Sequence, residues 1–524
     1  MHRLLPLLLV LLYGCQTTNN IPARGSNEHL VPTTEGPVQG VAVDGTVAFK
    51  GIPFAAPPVD ELRWRAPEPP QTRSSILVAD TYGDFCAQPD SELLWFELSS
   101  SSEDCLTLNV WTPSTNAAAT LPVMVWIHGG GYMQGSGNIP RLNSPELVKS
   151  GVVLVTINYR LNAFGFFAHE ALSTSQASEP HANFGVLDSI RALEWIRDNV
   201  RAFGGDPENI TIFGESAGGA MVNTLLVTPA SEGLFHKAIS QSSALGLAPD
   251  AKLSERSGFL LSGEAMGDKL VKALGIDAEK LDNAELMEAL RKVDADTIAK
   301  VIPADWRFTP VIDNQILVDY SGAIFARGEQ HDVPYITGGV SWEASLGRMI
   351  GGGFSPAMSA RLVPESDKQR LYPALTGEAL EDAIFGDMIV LAQARYVSDK
   401  WVNISSPAWH YHMTYVAEER QESQPGVAHA DDIAFVMRTI DTELQTPTMN
   451  DRYVSDLMSA YWVQFARSGN PNHPDLPPWP EYQTTTQPVM IFGDQPEVNE
   501  NFISERMTFH IARGEKFLQR AMTK

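Results

Sequence analysis

A serine hydroxyl becomes a useful nucleophile when a base takes its proton and preorganised donors receive the charge that its attack creates. Two stretches of this chain have the residue types for parts of that task. Gly214-Glu215-Ser216-Ala217-Gly218 sets a serine between glycines, directly after the apolar run Ile210-Thr211-Ile212-Phe213 and before Ala220–Leu226, a segment suited to a helix. A strand turning sharply into a helix leaves no room for side chains beside the serine. It lifts the hydroxyl to the sheet edge and aims the next backbone N–H into the site. The five-residue pattern alone is common in loops, and its place between strand and helix gives it weight. His128-Gly129-Gly130-Gly131 closes another apolar run, Val123–Ile127. Glycine backbones there could donate N–H groups to a tetrahedral oxyanion, each donor contributing about 3–4 kcal/mol. Gly130, Gly131 and Ala217 are the expected donors, with His128 structural.

The hydroxyl needs a base, and the base an acid to fix its tautomer. In proteins built around such an elbow the chain order is nucleophile, acid, histidine. The histidines after Ser216 are His236, His331, His410, His412, His429, His473 and His510. His410 and His412 sit in an aromatic, strand-like run and read as packing residues. His473 lies among prolines and His510 near the C-terminus. His429, in Gly426-Val427-Ala428-His429-Ala430-Asp431-Asp432-Ile433, leads from a loop into an apolar segment and is the best-placed base. Composition does not choose the acid among 63 carboxylates.

These groups must be held by a scaffold. Apolar runs without polar alternation, Val123–Ile127, Val152–Ile157 and Ile210–Phe213, suit strands covered on both faces. Val333–Ile336 and Val489–Phe492 are weaker candidates. Leu187, Ile190, Leu193, Ile196, Val200 and Phe203 recur at steps of three and four, giving a helix one apolar face. Gly204-Gly205-Asp206-Pro207 then signals a stop and turn. Strands alternating with helices predict an α/β fold, a mostly parallel sheet with helices on both faces. The section Asp250–Ala304 reads as a charged helical insertion over the site. From about residue 29 to 524 the chain reads as one domain, without an internal linker or repeat.

Net charge is −25, which disfavours a nucleic-acid partner. Met1-His2-Arg3 followed by the apolar stretch Leu4–Leu12 reads as a signal peptide over residues 1–14. Leu12-Tyr13-Gly14-Cys15 resembles a bacterial lipobox, with Cys15 as lipid acceptor; Tyr13 departs from the small residue usual there. Residues 15–28 read as a polar tether. The expected location is therefore outside the cytoplasm, in the bacterial periplasm or outer membrane as a lipoprotein, or otherwise secreted. No later run is long and apolar enough to span a bilayer. With Cys15 lipidated or removed, Cys86 and Cys105 remain, and in an exported protein they read as a disulfide. Closing the 18 residues between them would contribute about 3 kcal/mol. Their spacing fits no common zinc pattern.

The chain resembles the type-B carboxylesterases, the cholinesterase-like branch of the α/β-hydrolases, from about residue 34 to the late 400s. Gly51-Ile52-Pro53-Phe54-Ala55 with Arg63-Trp64-Arg65-Ala66-Pro67 is similar to the family's opening. Ser102-Glu103-Asp104-Cys105-Leu106-Thr107-Leu108-Asn109-Val110 resembles its disulfide signature and supports the Cys86–Cys105 bridge. Asn158-Tyr159-Arg160-Leu161, Phe203-Gly204-Gly205-Asp206-Pro207 and Tyr461-Trp462-Val463-Gln464-Phe465-Ala466-Arg467 are similar to further family segments. The resemblance implies an α/β-hydrolase fold and a serine ester hydrolase of small-molecule esters that needs neither metal nor organic cofactor. It also supplies the acid: Gly338-Gly339-Val340-Ser341-Trp342-Glu343 is similar to the segment holding the family's glutamate, although Val340 stands where Asn is usual. Asp432 stands where the family commonly has a second acid. Trp95, ten residues before Cys105, matches the place of the cholinesterase tryptophan, and Glu215 would add negative charge toward a quaternary ammonium. Phe96-Glu97 and Leu346 do not continue that pattern. Choline-ester hydrolysis and non-catalytic binding are the alternatives to general ester hydrolysis.

Overall fold

The computed structural model describes residues 29–89, 100–176, 179–248, 250–258, 260–303 and 305–523. The signal segment, Cys15, the tether and Trp95 lie outside them. No helix among the described residues is long and apolar enough to cross a membrane.

A sheet of eleven strands organises the chain. They are β1 Val41–Val43, β2 Thr46–Pro53, β3 Thr107–Thr112, β4 Leu121–Ile127, β5 Val153–Ile157 and β6 Gly205–Glu215. The remainder are β7 Lys237–Gln241, β8 Tyr335–Val340, β9 Ala408–Met413, β10 Pro488–Phe492 and β11 Pro496–Glu500. Their order across the sheet is β11-β10-β9-β8-β7-β6-β4-β5-β3-β2-β1. From β10 to β5 all neighbours are parallel, and both margins are antiparallel. Carboxyl ends of β4, β6, β7 and β8 therefore meet on one edge, the place where ligand sites form in such sheets.

The apolar runs become strands because helices cover both faces, so no polar alternation is required. Val123, Val125 and Ile127 of β4 enter one core, while Met124 and Trp126 enter the other. Helix α1, Phe184–Asn199, buries Ile190, Leu193 and Ile196, and a 3-10 turn carrying Val200 and Phe203 extends that face to Gly204 at φ 83°. One boundary differs from expectation. The strand leading to Ser216 begins at Gly205, whose pairing with Leu121 precedes a register shift to Ile210–Val123. The stop and turn signal holds at Gly204 and at Asp206, whose Oδ1 accepts from Glu208 N–H, and the strand begins earlier than expected, with the turn inside its register shift.

Section 250–303 is largely helical, with α2 Gly263–Ala273, α3 Asn283–Arg291 and α4 Ala295–Val301. Arg63 anchors it: Nη1 donates to the carbonyls of Leu290, Arg291 and Val293, and Nε and Nη2 bind Glu103. The Arg63-Trp64 segment thereby ties this insertion to the Cys86–Cys105 loop. That disulfide is formed, with Cα atoms 4.9 Å apart. A C-terminal helix, Ser504–Met522, closes the chain.

Candidate active site

Every residue from Ile210 to Val227 is buried except Ser216, which is half-buried. Helix Ala217–Val227 starts immediately after it, and Ser216 itself adopts φ 58°, ψ −123°. A side chain in that conformation costs about 1–3 kcal/mol and persists only where the surroundings impose it. Here the Ser216 N–H donates to the Gln241 carbonyl at 2.9 Å, and the Ser216 carbonyl accepts from Ala220 N–H at 2.9 Å. The flanking glycines permit close approach. A Cβ on Gly218 would lie 2.1 Å from the Ile127 carbonyl, and one on Gly214 2.5 Å from the same oxygen. The elbow is wedged against the end of β4, whose next residues form the glycine turn.

That turn runs Gly129-Gly130-Gly131 with φ 106° at Gly130 and 64° at Gly131. Gly129 sits against the elbow, since a Cβ there would be 3.2 Å from Ser216 Cβ. The N–H groups of Gly130, Gly131 and Ala217 have no acceptor among the described residues. His128 supports the turn, its Nδ1 2.9 Å from the Gly129 carbonyl. Its ring stacks on Tyr159 at 4.4 Å, its carbonyl accepts from the Tyr159 hydroxyl, and burial pushes its pKa down to about 4.

Glu343 follows β8 and is 1 % exposed. Its Oε1 accepts from Ser242 Oγ and the Val340 N–H, each at 2.8 Å. Oε2 lies 2.6 Å from Nδ1 of His429, a pairing that places a proton on Nδ1. The two loops are laced together as well. Trp342 N–H donates to the Val427 carbonyl, Val427 N–H to Ser341 Oγ, and His429 N–H to Ser345 Oγ.

His429 Nε2 is 3.2 Å from Glu215 Oε1, without an aligned hydrogen bond between them. A third carboxylate stands behind: Asp432 Oδ2 accepts from Gln241 Nε2 and Tyr411 Oη, each at 2.9 Å. Burial opposes a charge on His429, yet Glu215 and Glu343 outweigh it and raise the imidazole to about 9. Glu215 is raised to about 8 by its own burial, against the attraction of His429. Asp432, likewise buried, is raised to about 6. One imidazole thus serves three buried carboxylates.

Ser216, Glu215, Glu343, His429 and the Gly129–Gly131 turn, from four separate stretches of the sequence, meet at one sheet edge. Trp95 is not placed with them because it lies outside the described residues. His410 and His412 are buried on β9: His410 Nδ1 pairs with Ser398 Oγ at 2.9 Å, and His412 packs on Phe502. Sequence reading missed Ser242, Gln241 and Tyr411 as supports. Ser242, first residue beyond β7, could have been found from the rule that sites gather at carboxyl ends of neighbouring parallel strands.

The description "Carboxylesterase family" belongs to a family profile that matches residues 27–355 and 367–510. A fumonisin B1 esterase of Sphingopyxis macrogoltabida is 33% identical over 497 residues, spanning 88% of this chain and 86% of its own. A para-nitrobenzyl esterase of Bacillus subtilis is 31% identical over 509 residues, 91% of this chain and 98% of its own. Among solved structures, a Geobacillus stearothermophilus carboxylesterase superimposes with a TM-score of 0.79 at 28% identity, covering 92% of this chain and 99% of that one. The fold is that of the α/β-hydrolases, and the chain belongs to the carboxylesterase family, as a carboxylic ester hydrolase.

Proposed function

We propose that the chain hydrolyses small-molecule carboxylic esters through an acyl-enzyme on Ser216, with His429 as base and Glu343 as the acid that orients it. The observation carrying this reading is the 2.6 Å Glu343–His429 pair, whose Nε2 lies 3.2 Å from Glu215, the residue before a serine held at φ 58°. His429 Nε2 takes the hydroxyl proton as Ser216 Oγ bonds to the ester carbonyl carbon, and the carbonyl electrons move onto oxygen. N–H groups of Gly130, Gly131 and Ala217 receive that oxyanion. As the carbon–oxygen bond to the alcohol breaks, His429 returns the proton to the leaving oxygen. Water then repeats the sequence on the acyl-serine, releasing the acid and restoring Ser216. No step calls on a metal or an organic cofactor.

Ser216→Ala is the direct test. A folded variant with no burst of alcohol and no labelling by a fluorophosphonate is expected; near-normal hydrolysis would remove Ser216 from the mechanism. The same labelling separates catalysis from a non-catalytic binding role. The names of the relatives, a fumonisin B1 esterase and a para-nitrobenzyl esterase, recommend a panel of acyl and alcohol groups for rate comparison, choline esters included.

We further propose export, with residues 1–14 removed and Cys15 carrying the lipid. A structural disulfide between Cys86 and Cys105 suits an oxidising compartment. Mass spectrometry of the mature N-terminus tests it: an unmodified Met1 or an unlipidated Cys15 rejects the anchor.

A further inference from the structure

We propose that Gln88, beside the Cys86–Cys105 disulfide, is a positioning residue for the oxyanion hole, its carboxamide gripping Gly135 and through it the Gly129–Gly131 turn. This rests on the reading of Gly130 and Gly131 as oxyanion donors given above.

The grip is a two-bond ring. Gly135 N–H donates to Gln88 Oε1 at 3.0 Å, and Gln88 Nε2 donates to the Gly135 carbonyl at 3.1 Å. A backbone N–H can only donate and a carbonyl only accept, so one orientation of the amide satisfies both. The second Nε2 proton goes to the Cys86 carbonyl at 3.0 Å. Gln88 is 5% exposed, so these groups have little water to fall back on.

Gly135 is the far leg of the glycine turn. A Cβ there would be 2.4 Å from the Gly129 carbonyl and 2.5 Å from His128 Nδ1, so Gly135 packs directly on the Gly129 carbonyl and the His128 ring. Met133 and Gln134 N–H groups both donate to the Gly130 carbonyl. Residues 129–135 therefore form a closed loop, with the His128 ring against Gly135 and its Nδ1 2.9 Å from the Gly129 carbonyl. Gly131 has no such support of its own: a Cβ built on it meets nothing within 4 Å. Glycines at φ 106° and 64° are conformationally free when unfolded. The near leg is held at Gly129 by the elbow and His128, and the far leg at Gly135 by Gln88.

Gln88 is in turn fixed by the disulfide region. Cys86 is joined to Cys105. The Ala87 carbonyl accepts from Asn162 Nδ2, whose own N–H donates to the Tyr132 carbonyl in the same turn. The Cys105 carbonyl accepts from Asn158 Nδ2, while Asn158 Oδ1 accepts from Ser136 Oγ and Gly137 N–H. Both cysteine segments thus reach residues 132–137 through buried amides. The disulfide lies behind the oxyanion turn and holds the residue that fixes it.

The test compares wild type with Gln88→Met, nearly isosteric but unable to form either bond, and Gln88→Glu, which keeps only the acceptor for Gly135 N–H. Rates with a p-nitrophenyl ester are normalised to the fluorophosphonate-reactive fraction, so partly folded preparations still report. Affinity is measured for a trifluoromethyl ketone, whose carbonyl becomes an oxyanion when Ser216 adds, and for the product alcohol, which makes none. Losing well-placed oxyanion donors should lower kcat about 30-fold for Gln88→Met, with KM within about twofold. Ketone affinity should fall by a similar factor, alcohol affinity should hold, and Gln88→Glu should lie between. A lowered Tm with unchanged kcat and ketone affinity would overturn the proposal and leave Gln88 a packing residue. Ser216→Ala separates the two claims. If that variant hydrolyses normally, the underlying reading has failed; if it is inactive while Gln88→Met matches wild type, only the positioning role has.

Discussion

The Nε2 atom of His429 stands 3.2 Å from Oε1 of Glu215, and neither atom has an aligned partner. The proposed base therefore rests beside the carboxylate that immediately precedes the proposed nucleophile. Attraction to Glu215 and Glu343 raises the imidazole to about 9, while burial works against it. A base must be neutral to accept a proton, so the acidic limb of kcat/KM should fall well above the ordinary imidazole value near 6.5. Replacing Glu215 by Gln removes the first of the charges that raise it. The acidic limb of Glu215→Gln should move to lower pH by about one unit or more. An unmoved limb would show that Glu215 does not govern the base.

Glu343 depends on two donors, Ser242 Oγ and the Val340 N–H. Glu343→Gln should keep the packing but remove the acceptor that fixes the Nδ1–H tautomer. By analogy with serine triads, about a 10⁴-fold loss in kcat is expected. Ser242→Ala removes only a support, and about a tenfold loss matches one hydrogen bond to a buried charge. Stopped-flow and steady-state kinetics check both. Equal losses in the two variants would show that the hydroxyl does more than support the carboxylate.

How much of this was legible in the sequence follows the range of each interaction. The Ser216 elbow and the glycine turn are readable because their geometry is local: strand, glycines and helix are contiguous. Glu343 carries no local chemical signature, and only resemblance to a family singled it out. Gln241 and Tyr411 carry no such signal, and Ser242 only its place just past a parallel strand, because their roles arise where separate strand ends meet Glu343 and Asp432. Gly205 shows the same limit. The stop at Gly204 is realised, but the pairing of Gly205 with Leu121 that starts the strand there is a contact no local rule contains.

Arg160 and Asp188 give a prediction independent of catalysis. Asp188 is fully buried and accepts from Arg160 Nε at 2.8 Å, Nη2 at 2.7 Å and the backbone N–H at 3.0 Å. Asp188→Asn leaves a buried guanidinium without its counter-charge and should destabilise by about 3–5 kcal/mol. Urea unfolding should reveal it as a lower midpoint with little change in slope. Turnover per folded molecule should remain near wild type, because neither residue touches the Ser216 edge. A loss below about 1 kcal/mol would show that water or relaxation compensates the charge.

Asp432 makes the stability of the fold depend on pH. Its carboxyl is raised from 3.8 to about 6, first by burial, despite donors from Gln241 and Tyr411. A carboxyl whose folded value lies above its unfolded value stabilises the fold below the unfolded value. That contribution is lost as pH rises through the folded value. Between pH 5 and 7.5 the native state should therefore give up about 1.4 kcal/mol on account of this one group. Asp432→Asn can keep one oxygen for the Gln241 and Tyr411 donors and carries no charge to bury, since Oδ1 has no partner to lose. Its unfolding free energy should lack that fall, so the difference between variant and wild type should shift in favour of the variant as pH rises. Urea titrations of both proteins at pH 5 and 7.5 measure this difference directly. Parallel curves would mean that Asp432 is already charged at pH 5 and that its two donors outweigh its burial.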